Sequence, residues 1–168
     1  VGTLRDISRR KQAERELVDS EARFRGLVEQ SIAGIYIIQD GKLAYVNPRF
    51  AQILGYDCAE DLIGRDGVEA IAEKDRARVL ETRRQLIEGE AQSANYTFAA
   101  LKKDGASVEV GIHGTRATYR GRPALIGLIQ DISEKLRAEE EIRRYVEQLK
   151  TAFMSTVEVA TIISEMRD

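Results

Sequence analysis

Two side chains in this sequence could carry covalent or metal chemistry, His113 and Cys58, and each is the sole residue of its type. An imidazole can ligate iron or zinc or move a proton, and a thiolate can act as nucleophile or metal ligand. Neither has the company such chemistry needs. His113 sits in Val110-Gly111-Ile112-His113-Gly114 with no second histidine or cysteine at ligand spacing, and it reads as a structural strand residue. Cys58 follows Gly55-Tyr56-Asp57 and reads as an incidental, partly exposed thiol. Gly64-Arg65-Asp66-Gly67 lacks the trailing glycine and strand context of a nucleotide fingerprint. No nucleophile–base pair or phosphate loop is present. The expectation is no catalytic residue and no metal site.

What remains is an apolar set that a sheet and short helices would have to bring together: Tyr36, Val46, Phe50, Ile53, Phe98, Ile112 and Ile129. These are the candidates for lining a ligand cavity, and the same residues could simply fill a core.

The elements that must position them are legible from turn and cap signals. Ile35-Tyr36-Ile37-Ile38 and Leu43-Ala44-Tyr45-Val46 read as strands joined by the hairpin signal Asp40-Gly41. Asn47-Pro48 supplies a helix N-cap followed by proline at the first helical position. Phe50, Ile53 and Leu54 give that helix its apolar face, and Gly55 stands where a left-handed C-terminal residue belongs. A further turn over 59–63 closes at Gly64. The segment 74–88 predicts an amphipathic helix with Val79, Leu86 and Ile87 inward, ending at Gly89. Strands follow over 94–101, 107–117 and 124–132, separated by Lys103-Asp104-Gly105 and Arg120-Gly121-Arg122-Pro123. Two strands, short helices, then three strands predict an α+β fold: one antiparallel sheet with its helices on one face.

A repeat frames this domain. Gly2-Thr3-Leu4-Arg5-Asp6-Ile7-Ser8 returns as Gly127-Leu128-Ile129-Gln130-Asp131-Ile132-Ser133, and each copy runs into a charged segment of helical periodicity. Such self-similarity marks tandem modules. The expected organisation is a terminal strand of a preceding domain at 1–8 with Ser8 as N-cap, and a connector helix at 9–30 broken near Gly26. A compact domain at 31–133 and a long exit helix at 134–168 complete it. The exit segment holds no Gly or Pro, and Ile142, Val146, Leu149, Phe153, Val157, Ala160 and Ile163 step mostly by three or four. This stripe predicts a parallel coiled coil with a second copy, the consecutive fours at 149–153–157 reading as a stutter.

Composition narrows the class. The chain of 168 residues is 43% hydrophobic and 32% charged, enough for one core and solvated helices. Lys+Arg 26 against Asp+Glu 28 gives net −2, which argues against a nucleic-acid partner. One cysteine excludes an internal disulfide and fits a reducing cytoplasm. No apolar run approaches the ~20 residues of a membrane span, leaving any anchor to lie outside this sequence.

In order and spacing, several stretches resemble the PAS domain family. They are Ser20 through Gln30, Gly34-Ile35-Tyr36-Ile37, Tyr45-Val46-Asn47-Pro48-Arg49-Phe50, Leu54-Gly55-Tyr56, Leu62-Ile63-Gly64, and Lys102-Lys103-Asp104-Gly105 through Gly127–Ser133. The resemblance implies a five-stranded antiparallel sheet cupping a small cavity, and a terminal Asp131-Ile132-Ser133 joint that relays strain to an output helix. Haem-binding members carry a histidine on the long helix, which 74–88 lacks. Flavin photosensors place a reactive cysteine where this chain has Arg65-Asp66-Gly67-Val68. No cofactor is therefore expected, neither haem nor photoactive flavin.

The tail Phe153–Asp168 resembles the opening helix of bacterial HD-GYP phosphodiesterase domains, which implies cyclic-di-GMP signalling downstream. Histidine kinases begin near a similar Phe-Met-Ser, but Ser155-Thr156-Val157-Glu158 replaces their phosphoacceptor Ser-His-Glu and ranks them second. The expectation is thus a bacterial, cytoplasmic, homodimeric sensory module without catalysis of its own. A structural spacer that binds no small molecule is the alternative.

Overall fold

The computed structural model describes residues 2–167; Val1 and Asp168, the ends of the predicted terminal segments, lie outside the described residues. It divides into two units, 1–131 and 132–168.

The first unit opens with α1 (Gly2–Glu29) and continues with β1 (Gly34–Gln39), β2 (Lys42–Val46), α2 (Pro48–Ile53), a 3-10 turn at Ala59–Asp61, α3 (Glu73–Glu88), β3 (Ser93–Leu101), β4 (Ser107–Tyr119) and β5 (Arg122–Asp131). The strands form one antiparallel sheet in the order β2-β1-β5-β4-β3. The α+β expectation holds, with the predicted strands extended by one to two residues at several ends.

Two-residue turns close two of the hairpins. Asp40 and Gly41 (φ 52° and 78°) join β1 to β2, and Arg120 and Gly121 (49° and 75°) join β4 to β5. Paired positive φ is the geometry whose twist matches that of the flanking strands. α2 starts where the sequence places it: Asn47 Oδ1 accepts from the Phe50 amide at 3.0 Å, and Pro48 takes the first helical position. Gly89 ends α3 in the left-handed conformation (φ 81°).

Four expectations for this unit are corrected. Gly2–Ser8 is helical, because a lone strand has no ladder partner here whereas a helix satisfies its own amides. Ser8 is accordingly a helix-interior residue and caps nothing. α1 also runs through Gly26 without a break, since one glycine costs only about 1 kcal/mol. Of its residues only Val28 is buried, while Phe24 and Leu27 are exposed. On α3, Val79 and Leu86 are fully buried, but Ile87 turns to the surface at 39% exposure.

The core lies between the sheet and α2, the 3-10 turn and α3, with Leu54, Ile71, Val79, Leu86 and Val110 at its centre. The second unit is α4 (Ser133–Glu165), 33 residues and so ~50 Å long. None of its residues is buried; Ile142, Leu149 and Phe153 are 59–68% exposed. Its cap is Ile132, and Ser133 is the first helical residue, one position later than the N-cap role predicted for it.

Candidate functional site

Strand parity decides which side chains meet the helices. On β1, Tyr36 and Ile38 point inward; Phe98 on β3, Val110 and Ile112 on β4, and Ile129 on β5 do the same. α2 lays Phe50 and Leu54 over them, with the Tyr36 and Phe50 ring centroids 5.5 Å apart and tilted by 55°. These residues leave a cavity of about 20 Å³, walled by Tyr36, Phe50, Phe98, Ile112, Ile129 and Arg83, among others. That is room for about one water.

Of the seven predicted cavity residues, Tyr36, Phe50, Phe98, Ile112 and Ile129 border this void. Val46 and Ile53 are buried in the same core without bordering it. Arg83 was not foreseen. It lies on α3 between the inward Val79 and Leu86, where charged residues normally face solvent. Its only sequence signal is the spacing of four from Val79, which puts it near the same helix face.

The polar groups around the site are held in definite states. Burial, reinforced by Tyr96, pushes the Tyr36 phenol above its ordinary value, so it remains a neutral hydroxyl. Asn47 is fully buried and has all its groups engaged. Its Oδ1 accepts from the Ile35 amide at 2.8 Å as well as from Phe50, and its Nδ2 donates to the carbonyls of Val28 at 2.8 Å and Ala33 at 3.2 Å. One side chain thereby ties the end of α1, the start of β1 and the start of α2 together.

Asp75, in the first turn of α3, reaches across to β3. Its Oδ2 accepts from the Ala99 amide at 3.0 Å and its Oδ1 from Arg78 at 2.6 Å, while Arg78 donates to the Thr97 carbonyl at 2.8 Å. The Ala99 amide first, and Arg78 second, hold the Asp75 carboxyl below its usual range. This clamp fixes the helix over the cavity.

The chemistry-bearing residues of the sequence lie elsewhere. His113 is exposed on β4, its Nδ1 2.6 Å from Asn95 Oδ1. Cys58 is exposed just before the 3-10 turn. No group of three or more His, Cys, Asp or Glu side chains among the described residues is placed to hold a metal ion.

Asp131 closes β5 opposite Val110, and Ser133 opens α4, with Ile132 between them. A second concavity, a groove of about 790 Å³, lies on the outer sheet face between α1 (Phe24, Val28) and Ile35, Ile37, Tyr45, Tyr119 and Ile126. No helix among the described residues is long and apolar enough to cross a membrane.

Comparison with known proteins agrees with this geometry. The family model described as PAS fold matches residues 22–132. Sporulation kinase A of Bacillus subtilis is 26% identical over 137 residues, covering 82% of this chain and 23% of that protein. Sensor histidine kinase TmoS of Ectopseudomonas mendocina is 25% identical over 149 residues, covering 87% and 15%. The chain thus spans less than a quarter of either relative. Among solved structures, the PAS domain of an HTR-like protein from Haloarcula marismortui superposes with a TM-score of 0.62 at 26% identity, covering 73% of this chain and 99% of that one. The names of these two relatives are those of kinases.

Proposed function

This chain belongs to the PAS family, and from that premise we propose that it is a cytoplasmic sensory module that relays a change at its cavity to an output domain of the same polypeptide. The relatives support signal transduction as the setting and a histidine kinase as the output. The module itself carries no catalysis. Its working unit is a homodimer, supported by the uncovered apolar stripe of α4.

One observation carries the reading. β5 contributes Ile129 to the cavity wall and ends two residues later at Asp131, with a single residue before α4 begins. A ligand or partner that favours one position of β5 therefore acts on the strand from which the exit helix departs. It biases the output only by its differential affinity for the two positions, so tight binding alone transmits nothing.

The test is Asp131→Ala with Ser133→Ala in the full-length protein. Output should become insensitive to the stimulus while the domain still folds. Intact regulation in that variant removes the relay role from these two residues.

A spacer that senses nothing is the second reading, and the water-sized cavity favours it. Thermal shift and native mass spectrometry against pooled metabolites separate the two: a responding ligand rejects the spacer.

A further inference from the structure

The domain holds α1 by its last turn. Every residue from Gly2 to Arg25 is exposed, and Val28 is the one buried residue of the helix. Asn47 ties down that same turn, its Nδ2 donating to the Val28 carbonyl at 2.8 Å. Asn47 is fully buried, so water does not compete for this bond.

From Asn47 the contact passes on to two elements. Oδ1 accepts from the Ile35 amide of β1 at 2.8 Å and from the Phe50 amide of α2 at 3.0 Å. The Asn47 backbone amide also donates to the Ile35 carbonyl at 3.0 Å. Beside Ile35 lies Gly34, which has no slack around it. A Cβ at position 34 would collide with Ile129 Cγ2 and stand 2.9 Å from Phe50 Cα. Gly34 is the register partner of Ile129, and β5 ends two residues beyond at Asp131. A close-packed interior transmits a small displacement because it has no voids to absorb it.

The head of α1 also repeats the root of α4: Gly2-Thr3-Leu4-Arg5-Asp6-Ile7-Ser8 corresponds to Gly127 through Ser133. The entry arm is thus written like an exit arm, as a helix carrying another module's output would be.

We propose that this module has a second input, mechanical and independent of any cavity ligand. Force on α1 enters through the Val28–Asn47 bond, shifts the start of β1 and presses on Ile129 by way of Gly34. The source is a folded unit joined to the N-terminal arm. The inference rests on the β5-to-α4 relay proposed above and needs no small molecule.

Gly26→Ala is the probe. A Cβ there meets nothing within 4 Å, so the change only favours the helical state of α1, by roughly fivefold. Hydrogen exchange and ¹H–¹⁵N spectra of the full chain read its reach. Protection should rise by roughly fivefold at Val28 and by at least roughly twofold at Ile35 and Ile129. Leu86 on α3 should stay unchanged, and the Asn47 side-chain amide should shift.

Asn47→Ser keeps an N-cap for α2 and removes the amide that reaches Val28. In that background Gly26→Ala should still protect Val28 but no longer Ile129. An undiminished response at Ile129 overturns the route through Asn47. A response at Ile129 in the natural chain with the Asn47 side-chain amide unshifted does the same, and decides the matter if Asn47→Ser does not fold. No change at Ile129, or an equal rise at Leu86, overturns the mechanical input itself. All these outcomes leave the step from β5 to α4 to be judged by the Asp131→Ala, Ser133→Ala variant alone.

Discussion

Tyr36 of β1 lies across Gly127 of β5, its register partner, so closely that a Cβ at 127 would collide with the Cζ, Oη and Cε1 atoms of the phenol. The phenol occupies the space a side chain would take, and this places its hydroxyl between sheet and helices rather than in solvent.

Gly127→Ala should therefore destabilise the domain by about 1–3 kcal/mol, the usual cost of overpacking a core. Tyr36→Leu in the same chain should recover part of that loss, because the two positions are coupled. Chemical denaturation of the two single variants and the double measures the coupling. Strict additivity would show that the close approach is not what constrains position 127.

Asn47 holds three elements through four hydrogen bonds. Asn47→Ala removes the cap of α2 and strands buried backbone groups of Val28, Ala33 and Ile35, and a loss of about 2–4 kcal/mol is expected. Asn47→Asp keeps the acceptors but sets a carboxylate against the Val28 and Ala33 carbonyls, and should also destabilise. Hydrogen exchange should rise first at Ile35 and Phe50. Unchanged protection at both amides would count against the tie.

Asp75 makes the α3–β3 clamp pH-sensitive. Its folded-state value lies below its unfolded one, so its contribution is complete above the ordinary carboxylate range of roughly pH 4. It is lost as pH falls through the depressed folded value. Melting curves from neutral to strongly acid pH should show a smaller acid-side loss for Asp75→Asn than for the natural chain. Parallel profiles would reject the clamp as the source.

Leu149 and Phe153 stand in the middle of the exposed stripe of α4. If a second α4 covers them, Leu149→Asp with Phe153→Asp should weaken self-association at least roughly tenfold in sedimentation equilibrium, since a charge at a seam position must be desolvated. A natural chain that is monomeric at every concentration would remove the dimer from the proposal.

How much of this was legible beforehand depends on the range of the interaction. Asp40-Gly41, Asn47-Pro48 and Gly89 each specify a turn or cap from chemistry within a few residues, and the order of elements followed from them. Strand alternation likewise identified Tyr36, Phe98, Ile112 and Ile129 as inward. Neither alternation nor helical spacing could separate these from Val46 on β2 and Ile53 on α2, because whether an inward residue borders a void depends on how opposing layers fail to fill space. The helical state of Gly2–Ser8 was missed for a related reason: a strand motif becomes a strand only where another strand supplies its hydrogen bonds. The inward reach of Arg83 and the lodging of Tyr36 over Gly127 are purely tertiary. Local pattern on this chain determined which elements form and which faces they bury. Only the stacking of α3 on the sheet decided which buried face holds a cavity and which charge borders it, because that charge and that cavity wall come from residues far apart in sequence.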